Sequence, residues 1–310
     1  MALVSQAISS VEQLQKRFGI PGVVSFRAGE GGLPCVDIRT AQAEATVYLH
    51  GAHVIHYQPA GQPPVLFMSG KSMFEEGKPI RGGVPICFPW FGPKSGDPKA
   101  PGHGLVRQKD WVVEAATQRG DGAVAVTLAL TSDAAMLKDW PHEFTARFVV
   151  CVGAALDLTL EITNRSAAPC RYEEAMHTYL AVADVRTVAI TGLGGTTYID
   201  KVRSMERFTE GASPIAITGE TDRVYLNTQA TVMVSDPAAR RRISVSKEGS
   251  NTTVVWNPWI AKAGRMPDFG PDEWPRMLCI ETCNAADNAV ELKPGATHRT
   301  RAIIESFSSQ

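Results

Sequence analysis

Two arginines and a histidine are concentrated in one unusual segment of the chain, residues 79–111. The segment reads R-G-G-V-P-I-C-F-P-W-F-G and later H-G-L-V-R, and it contains Arg81, His103 and Arg107. Its Gly and Pro content excludes a long helix, and its aromatic content favours a stiff, partly buried loop. Permanent cations beside a titratable imidazole on such a loop indicate a site for an anionic ligand. A structural loop that closes one end of a β-barrel or sandwich is the alternative.

Two further ionisable residues occur in strand-like surroundings later in the chain. His177 lies in A-M-H-T-Y-L, where strand alternation places it on the same face as Tyr179. Glu281 lies in C-I-E-T-C-N and shares its face with Cys279 and Cys283. Removal from water would raise the pKa of Glu281 and suit it to act as a base near neutral pH. A hydrogen-bonded core histidine and a carboxylate paired with an arginine are the structural alternatives.

Other polar and aromatic residues have less specific patterns. Asp222 begins a strand after a turn, where capping is the simplest role. The motif W-N-P-W (256–259) predicts a rigid aromatic loop end that either lines a sugar or closes the sandwich. Three histidines occur together in a predicted hairpin bent at Gly51, and core or strand-face positions are expected for them. They are His50, His53 and His56.

Composition narrows the class of protein. The 310 residues carry a formal net charge of −1 and are 44% hydrophobic, which fits an ordinary globular core and disfavours a nucleic-acid surface. No apolar run is long enough to span a membrane, and the N-terminus lacks a signal-peptide pattern. The six cysteines include no C-x-x-C pair and indicate buried thiols in a reducing, cytoplasmic compartment. No second Cys/His pair has zinc-site spacing, and no Gly-rich phosphate loop of the P-loop or Rossmann kind is present, so neither a metal nor an organic cofactor is expected.

The elements that position these residues are predominantly strands. More than a dozen short alternating segments follow one another, and no helix intervenes between successive strands. In residues 156–163, leucine and isoleucine alternate with polar residues, which predicts one buried and one wet face of an antiparallel sheet. We therefore expect an all-β protein: one large antiparallel two-sheet β-sandwich domain over residues 1–310. The few short helices include 10–19, within an N-terminal helical extension (1–20), and 132–140.

Six motifs together resemble the D-hexose-6-phosphate mutarotases, or glucose-6-phosphate 1-epimerases, of the aldose 1-epimerase superfamily. The similarity runs from about residue 22 to residue 306, and the motifs occur in the family's order. They are R-G-G-V-P-I-C-F-P-W-F-G (81–92), H-G-L-V-R (103–107), M-H-T-Y-L (176–180), G-L…Y-I-D-K (192–201), W-N-P-W (256–259) and C-I-E-T-C-N-A (279–285). The resemblance implies a galactose-mutarotase-like sandwich.

The resemblance also assigns roles to individual positions. It implies that His177 and Glu281 are the catalytic residues. It implies four substrate-binding residues, namely Arg81, His103, Arg107 and Asp222. One position departs from the pattern, because Gly102 stands where family members often have Gln. A side-chain contact to the sugar is therefore replaced by backbone or lost.

The implied activity is interconversion of the α and β anomers of a hexose 6-phosphate, with glucose 6-phosphate as the expected substrate. Ring opening needs a base for the C1 hydroxyl and an acid for the ring oxygen, which are the roles expected for Glu281 and His177. The expected partner is this small molecule alone, with no nucleic acid or membrane, and the chain is expected to be a monomer. Two alternatives remain at this point: a mutarotase for free aldoses and a non-catalytic sugar-phosphate-binding protein of the same fold.

Overall fold

The computed structural model describes residues 10–308 and is built mainly of β-strands. These residues form 22 strands, which in chain order are β1 Val24–Ala28, β2 Pro34–Arg39, β3 Ala43–Tyr48, β4 His53–Pro59, β5 Ile86–Cys87, β6 Val112–Gln118, β7 Val124–Thr131, β8 Phe144–Val152, β9 Leu156–Asn164, β10 Cys170–Tyr172, β11 Glu174–Met176, β12 Tyr179–Ala181, β13 Ala189–Thr191, β14 Thr197–Asp200, β15 Glu206–Thr209, β16 Thr221–Leu226, β17 Val232–Asp236, β18 Arg241–Glu248, β19 Thr252–Asn257, β20 Met277–Asn284, β21 Val290–Leu292 and β22 Thr297–Ser308. The α-helices of the same region are α1 Val11–Phe18, α2 Met136–Asp139 and α3 Trp259–Ala263.

Two eight-stranded sheets form the body of the fold. The order in one sheet is β15-β14-β16-β19-β20-β11-β5, with β12 also paired to β20, and the order in the other is β13-β17-β18-β22-β9-β8-β7-β6. All strand pairs within the sheets are antiparallel, as predicted. A four-stranded sheet, β1-β2-β3-β4, and a two-stranded ribbon, β10-β21, are added to the predicted two-sheet arrangement.

The core follows from the alternation of side chains along the strands. On β9, the residues Leu156, Leu158, Leu160 and Ile162 are all buried, as their period of two predicts. One large hydrophobic cluster contains side chains from both eight-stranded sheets and from the β1–β4 sheet. The central strand β20 of the first eight-stranded sheet is buried along its whole length. The polar side chains on β20 therefore lie in the interior of the protein.

The hairpin of β3 and β4 packs against the loop of residues 79–111. Its strands pair antiparallel, and Gly51 lies in the turn with φ of 73°. A Cβ on Gly51 would lie 2.7 Å from the Arg107 carbonyl oxygen, so the turn and the segment around Arg107 are in direct contact. Farther along, Val54 of β4 forms an isolated antiparallel bridge with Val84. The hairpin therefore packs against both ends of the loop that was singled out in the sequence.

Two helix predictions have different outcomes. Helix α1 begins after Ser10, whose side chain accepts from the Gln13 N–H in the expected capping box. The remainder of the predicted extension, residues 1–9, lies outside the described residues. The helix predicted over 132–140 is shorter than expected, because Asp133 accepts from the Met136 N–H and the Ser132 hydroxyl instead accepts from the Phe144 N–H. Within residues 10–308, no helix has the length and apolar character needed to cross a membrane.

Candidate active site

A histidine and a glutamate face each other in the first eight-stranded sheet, where His177 lies between β11 and β12 and Glu281 lies on β20. Tyr179 of β12 lies opposite Cys279 of β20, and the same register, continued by two residues, places His177 opposite Glu281. The Nε2 atom of His177 is 3.3 Å from Oε1 of Glu281. Both side chains are buried, and the His177 Nδ1 and Glu281 Oε2 atoms have no hydrogen-bond partner in the described structure. Two polar atoms are therefore free to bind a ligand.

Burial favours the neutral form of each group. It raises the pKa of Glu281 well above its ordinary value, and the nearby Asp222 carboxylate adds to this rise. It lowers the pKa of His177 well below its ordinary value, and His103, Arg81 and Arg107 add to this fall. Burial therefore favours the arrangement in which the one proton of the pair lies on Glu281 and both groups are neutral.

His103 lies beside this pair and is held in one tautomer. The Gly92 N–H donates to its Nδ1 atom at 3.3 Å, which leaves the ring proton on Nε2. Its ring centroid is 5.5 Å from that of His177, and the Phe91 ring contacts both imidazoles. Burial and the neighbouring Arg107 lower the pKa of His103, so it is a neutral donor.

Arg81 is anchored by two partners. Its Nε and Nη2 atoms donate to Oδ2 of Asp268 at 3.2 and 3.0 Å, and its Nη1 atom donates to the Tyr179 hydroxyl at 2.8 Å. The Tyr179 ring in turn stacks on His177 at a centroid distance of 4.8 Å. Burial opposes the charge of Arg81, but Tyr179 and Asp268 outweigh it and raise the pKa of the guanidinium.

Arg107 is buried without a carboxylate partner. Its Nη2 atom donates to the Gly102 carbonyl oxygen at 2.8 Å, and its buried Nε atom has no partner. No described residue of the chain forms an ion pair with it, and burial lowers the pKa of its guanidinium. A buried, unpaired cation is costly, so this position favours an anionic ligand that supplies the missing acceptors.

Asp222 lies on β16, two strands away from Glu281 on β20 in the same sheet. It lies opposite Trp256 on the neighbouring strand β19 and is buried. Its carboxylate is 3.4 Å from the Lys201 Nζ atom and 3.7 Å from the Lys262 Nζ atom. The Trp256 ring stands nearly perpendicular to the rings of His177 and Tyr179 at 5.8 and 5.9 Å. Of the two roles expected for W-N-P-W, Trp256 therefore lines the site, and it does not only close the end of the sandwich.

The backbone of the loop explains why the motifs contain glycine. A Cβ on Gly104 would lie 2.0 Å from the Phe88 carbonyl oxygen, and one on Gly83 would lie 2.2 Å from the Val54 carbonyl oxygen. Both positions also have positive φ. Glycine thus permits the close packing that brings Arg81 and His103 to the same end of the sheet.

All six residues singled out in the sequence lie in this one region. Sequence reasoning missed Asp268 as the anchor of Arg81, and it missed Lys201 and Lys262 as the partners of Asp222. Lys201 is the last residue of the Y-I-D-K motif, but the motif does not indicate its partner, and no motif contains Asp268 or Lys262. The face shared by His177 and Tyr179 was the one signal available for Tyr179.

A metal ion could be held by three of these buried groups. The ligand atoms of His177, Cys279 and Glu281 lie within 4.8 Å of one another. Imidazole, thiolate and carboxylate together suit zinc. However, the arginines around them oppose a divalent cation, and a metal there would occupy both candidate proton-transfer groups. The arrangement is therefore better suited to moving protons.

Comparison with known proteins shows that the chain is similar to aldose 1-epimerases. A family model described as Aldose 1-epimerase matches residues 34–305. A relative from Cenchrus ciliaris is 36% identical over 90% of this chain and 86% of its own length. One from Escherichia coli is 35% identical over 94% of this chain and 98% of its own. Both carry the name "Putative glucose-6-phosphate 1-epimerase".

Solved structures agree with the sequence relatives. A Salmonella typhimurium protein titled "putative mutarotase" superposes with a TM-score of 0.87 at 30% identity, over 94% of this chain and 96% of that one. A galactose mutarotase-like protein from Clostridium acetobutylicum superposes with a TM-score of 0.73 at 14% identity, over 92% and 98%. The second likeness concerns the fold alone, and it confirms the predicted galactose-mutarotase-like architecture.

Proposed function

The chain belongs to the aldose 1-epimerase family, and from this premise we propose that it interconverts the α and β anomers of a hexose 6-phosphate, with glucose 6-phosphate as the main substrate. The observation that carries the proposal is a buried proton-transfer pair, His177 and Glu281, beside the unpaired guanidinium of Arg107. The names of the relatives support the reaction and the substrate class.

Ring opening begins with the proton of the pair on His177. Glu281, as carboxylate, removes the proton from the C1 hydroxyl, and the His177 imidazolium delivers its proton to the ring oxygen. The C1–O5 bond breaks and C1 becomes a carbonyl carbon. After rotation about the C1–C2 bond, the same two groups act in the reverse order to close the ring as the other anomer.

Burial affects the two charge arrangements of this pair differently. Before opening, the pair is charged, and after opening both groups are neutral. Since the buried site raises the pKa of Glu281 and lowers that of His177, it favours the neutral arrangement that opening produces. The charged arrangement that starts opening is therefore the less populated one, and the two proton transfers return the pair to its neutral form as the C1–O5 bond breaks. Each group is expected to contribute roughly 10²–10⁴-fold to the rate.

Three other groups would orient the sugar. The Nε2 proton of His103 is available to a sugar oxygen, since Nδ1 is already occupied. The Asp222 carboxylate, fixed by Lys201, would accept from sugar hydroxyls. The flat face of Trp256 offers an apolar wall for the ring. Together these contacts would hold C1 and O5 near the proton-transfer pair.

The substrate phosphate would lie between the two arginines. Arg107 has an unpartnered buried Nε atom, and a phosphate oxygen would satisfy it with a charge-assisted hydrogen bond. Arg81 is already oriented by Asp268 and Tyr179, so its remaining donor capacity is held in place before binding. The unpaired charge of Arg107 favours a phosphorylated hexose over a free aldose.

The direct test is the exchange rate between anomers, measured by NMR, with glucose 6-phosphate and free glucose compared at equal concentration. The proposal expects the protein to accelerate exchange of the phosphorylated sugar and to have little effect on the free sugar. Faster exchange of the free sugar would overturn the substrate class. Binding of glucose 6-phosphate without any acceleration would identify a non-catalytic binding protein.

A further inference from the structure

Two buried histidines of the β3–β4 hairpin contact the loop that carries Arg81. The Nε2 atom of His50 is 2.8 Å from the Lys78 carbonyl oxygen, and the Nε2 atom of His53 is 2.7 Å from the Gly82 carbonyl oxygen. The two contacts therefore bracket Arg81 on both sides along the chain. Both histidines are at most 1% exposed, so water does not replace these hydrogen bonds.

His50 also contacts the segment that carries Arg107. Its Nδ1 atom is 3.0 Å from Oδ1 of Asp110, three residues after Arg107. Next to this contact, the Gly51 N–H donates to the Lys109 carbonyl oxygen at 2.7 Å. One imidazole thus joins the two chain segments that hold the arginines.

The protonation of the two histidines fits these roles. Both nitrogens of His50 face acceptors, a carboxylate and a carbonyl, so the ring must carry two protons to donate to both. Burial opposes this charge, but Asp110, the Lys78 carbonyl and Glu76 outweigh it and raise the pKa of His50. Burial lowers the pKa of His53 to about 3, so its ring is neutral and donates from Nε2.

We propose that His50 and His53 are positioning residues that fix the Arg81 and Arg107 segments at the separation needed to bind a sugar phosphate. Neither histidine contacts the substrate in this account, and both act through the backbone of the loop. The inference rests on the proposed function, because it assigns the two arginines to the phosphate. It gives a role to histidines whose sequence pattern indicated only core or strand-face positions.

Amide side chains can retain individual hydrogen bonds and make the test specific. In His53→Gln, the amide nitrogen takes the place of Nε2 and keeps the bond to Gly82, whereas His53→Leu loses it. In the same way, His50→Gln keeps the donor toward Lys78, and His50→Asn keeps the donor toward Asp110. The control is His56→Gln in the same hairpin, because the His56 side chain is 31% exposed and its Nε2 contacts only Glu44, at 3.4 Å.

We expect His53→Leu to raise the KM for glucose 6-phosphate roughly tenfold, the effect of losing one buried hydrogen bond, with kcat nearly unchanged. His53→Gln should restore most of this loss, and the two His50 variants should each raise KM in part. Equal KM values for His53→Leu, His53→Gln and His56→Gln would overturn the inference, as would a fall in kcat as large as the rise in KM. If His53→Leu does not fold, the two His50 variants decide the same question.

Titration of the folded variants with inorganic phosphate separates this inference from the proposed function. Wild type that binds phosphate but does not accelerate anomer exchange would contradict the proposed function alone. Phosphate affinity that is weakened in His53→Leu and restored in His53→Gln would still support the positioning role. Affinities that match those of His56→Gln in every variant would overturn it.

Discussion

The Nε2 atom of His177 lies 3.3 Å from Oε1 of Glu281, and the register of β11 and β12 with β20 places the two residues opposite each other. The two groups lie within ion-pair distance, and their burial favours the neutral arrangement, in which the proton of the pair lies on Glu281. An anomerase needs such a pair, because ring opening adds one proton and removes another without net change. The predictions below follow from this pair and from the cations around it.

Arg107→Met should raise the KM for glucose 6-phosphate by a factor of roughly 10–100, since a charge-assisted hydrogen bond to a buried anion is lost. The variant should remain folded, because the wild-type guanidinium has no carboxylate that would be left unpaired. Steady-state kinetics of anomer exchange measure the effect. Arg240→Met, at an exposed turn, is the control. An unchanged KM in Arg107→Met would contradict the proposal that Arg107 binds the substrate phosphate.

Asp268→Asn should weaken substrate binding although this residue need not contact the substrate. The amide cannot provide the charged partner of Arg81, whose Nε and Nη2 atoms both donate to Oδ2. We expect KM to rise by roughly 3- to 30-fold with a small change in kcat, because orientation of the guanidinium is affected and the proton-transfer pair is not. A selective loss of kcat in kinetic assays would place Asp268 in the chemical step instead.

Asp222→Asn should change the pH dependence of kcat. The Asp222 carboxylate raises the pKa of Glu281, so its removal lowers that pKa. The alkaline limb of the profile, where the pair loses its last proton, should therefore move to lower pH. The profile of kcat at saturating substrate measures this limb separately from ionisation of the free substrate phosphate. Movement to higher pH would contradict the electrostatic relation between the two carboxyl groups.

Much of this site could be predicted from the sequence because its parts have local signals. The alternation in A-M-H-T-Y-L and C-I-E-T-C-N placed His177 and Glu281 on strand faces. The family motifs contain Arg81, His103 and Arg107, whereas Asp222 lies outside them and was implied by the family resemblance alone. Their roles remain predictions. The architecture was also predictable, because half-buried antiparallel strands show a two-residue alternation of apolar and polar side chains in the sequence.

What could not be predicted depends on contacts between distant segments. Asp268 follows a short helix and reaches an arginine 187 residues earlier in the chain. His50 and His53 look like ordinary core histidines until the structure shows which carbonyl oxygens they face. The four-stranded β1–β4 sheet was also missed as a separate sheet. Its strands were identified in the sequence, but the sequence of a single strand does not show which strands it pairs with.

The central claim is tested most directly by anomer exchange of glucose 6-phosphate, measured by NMR for wild type and Glu281→Gln in parallel. Glu291→Gln, an exposed substitution on β21, is the control for loss of a carboxylate. The account predicts that wild type and the control accelerate exchange, whereas Glu281→Gln loses about 10²–10⁴-fold in kcat and still binds the sugar phosphate. Wild-type exchange rates in Glu281→Gln would contradict the assignment of Glu281 as the base.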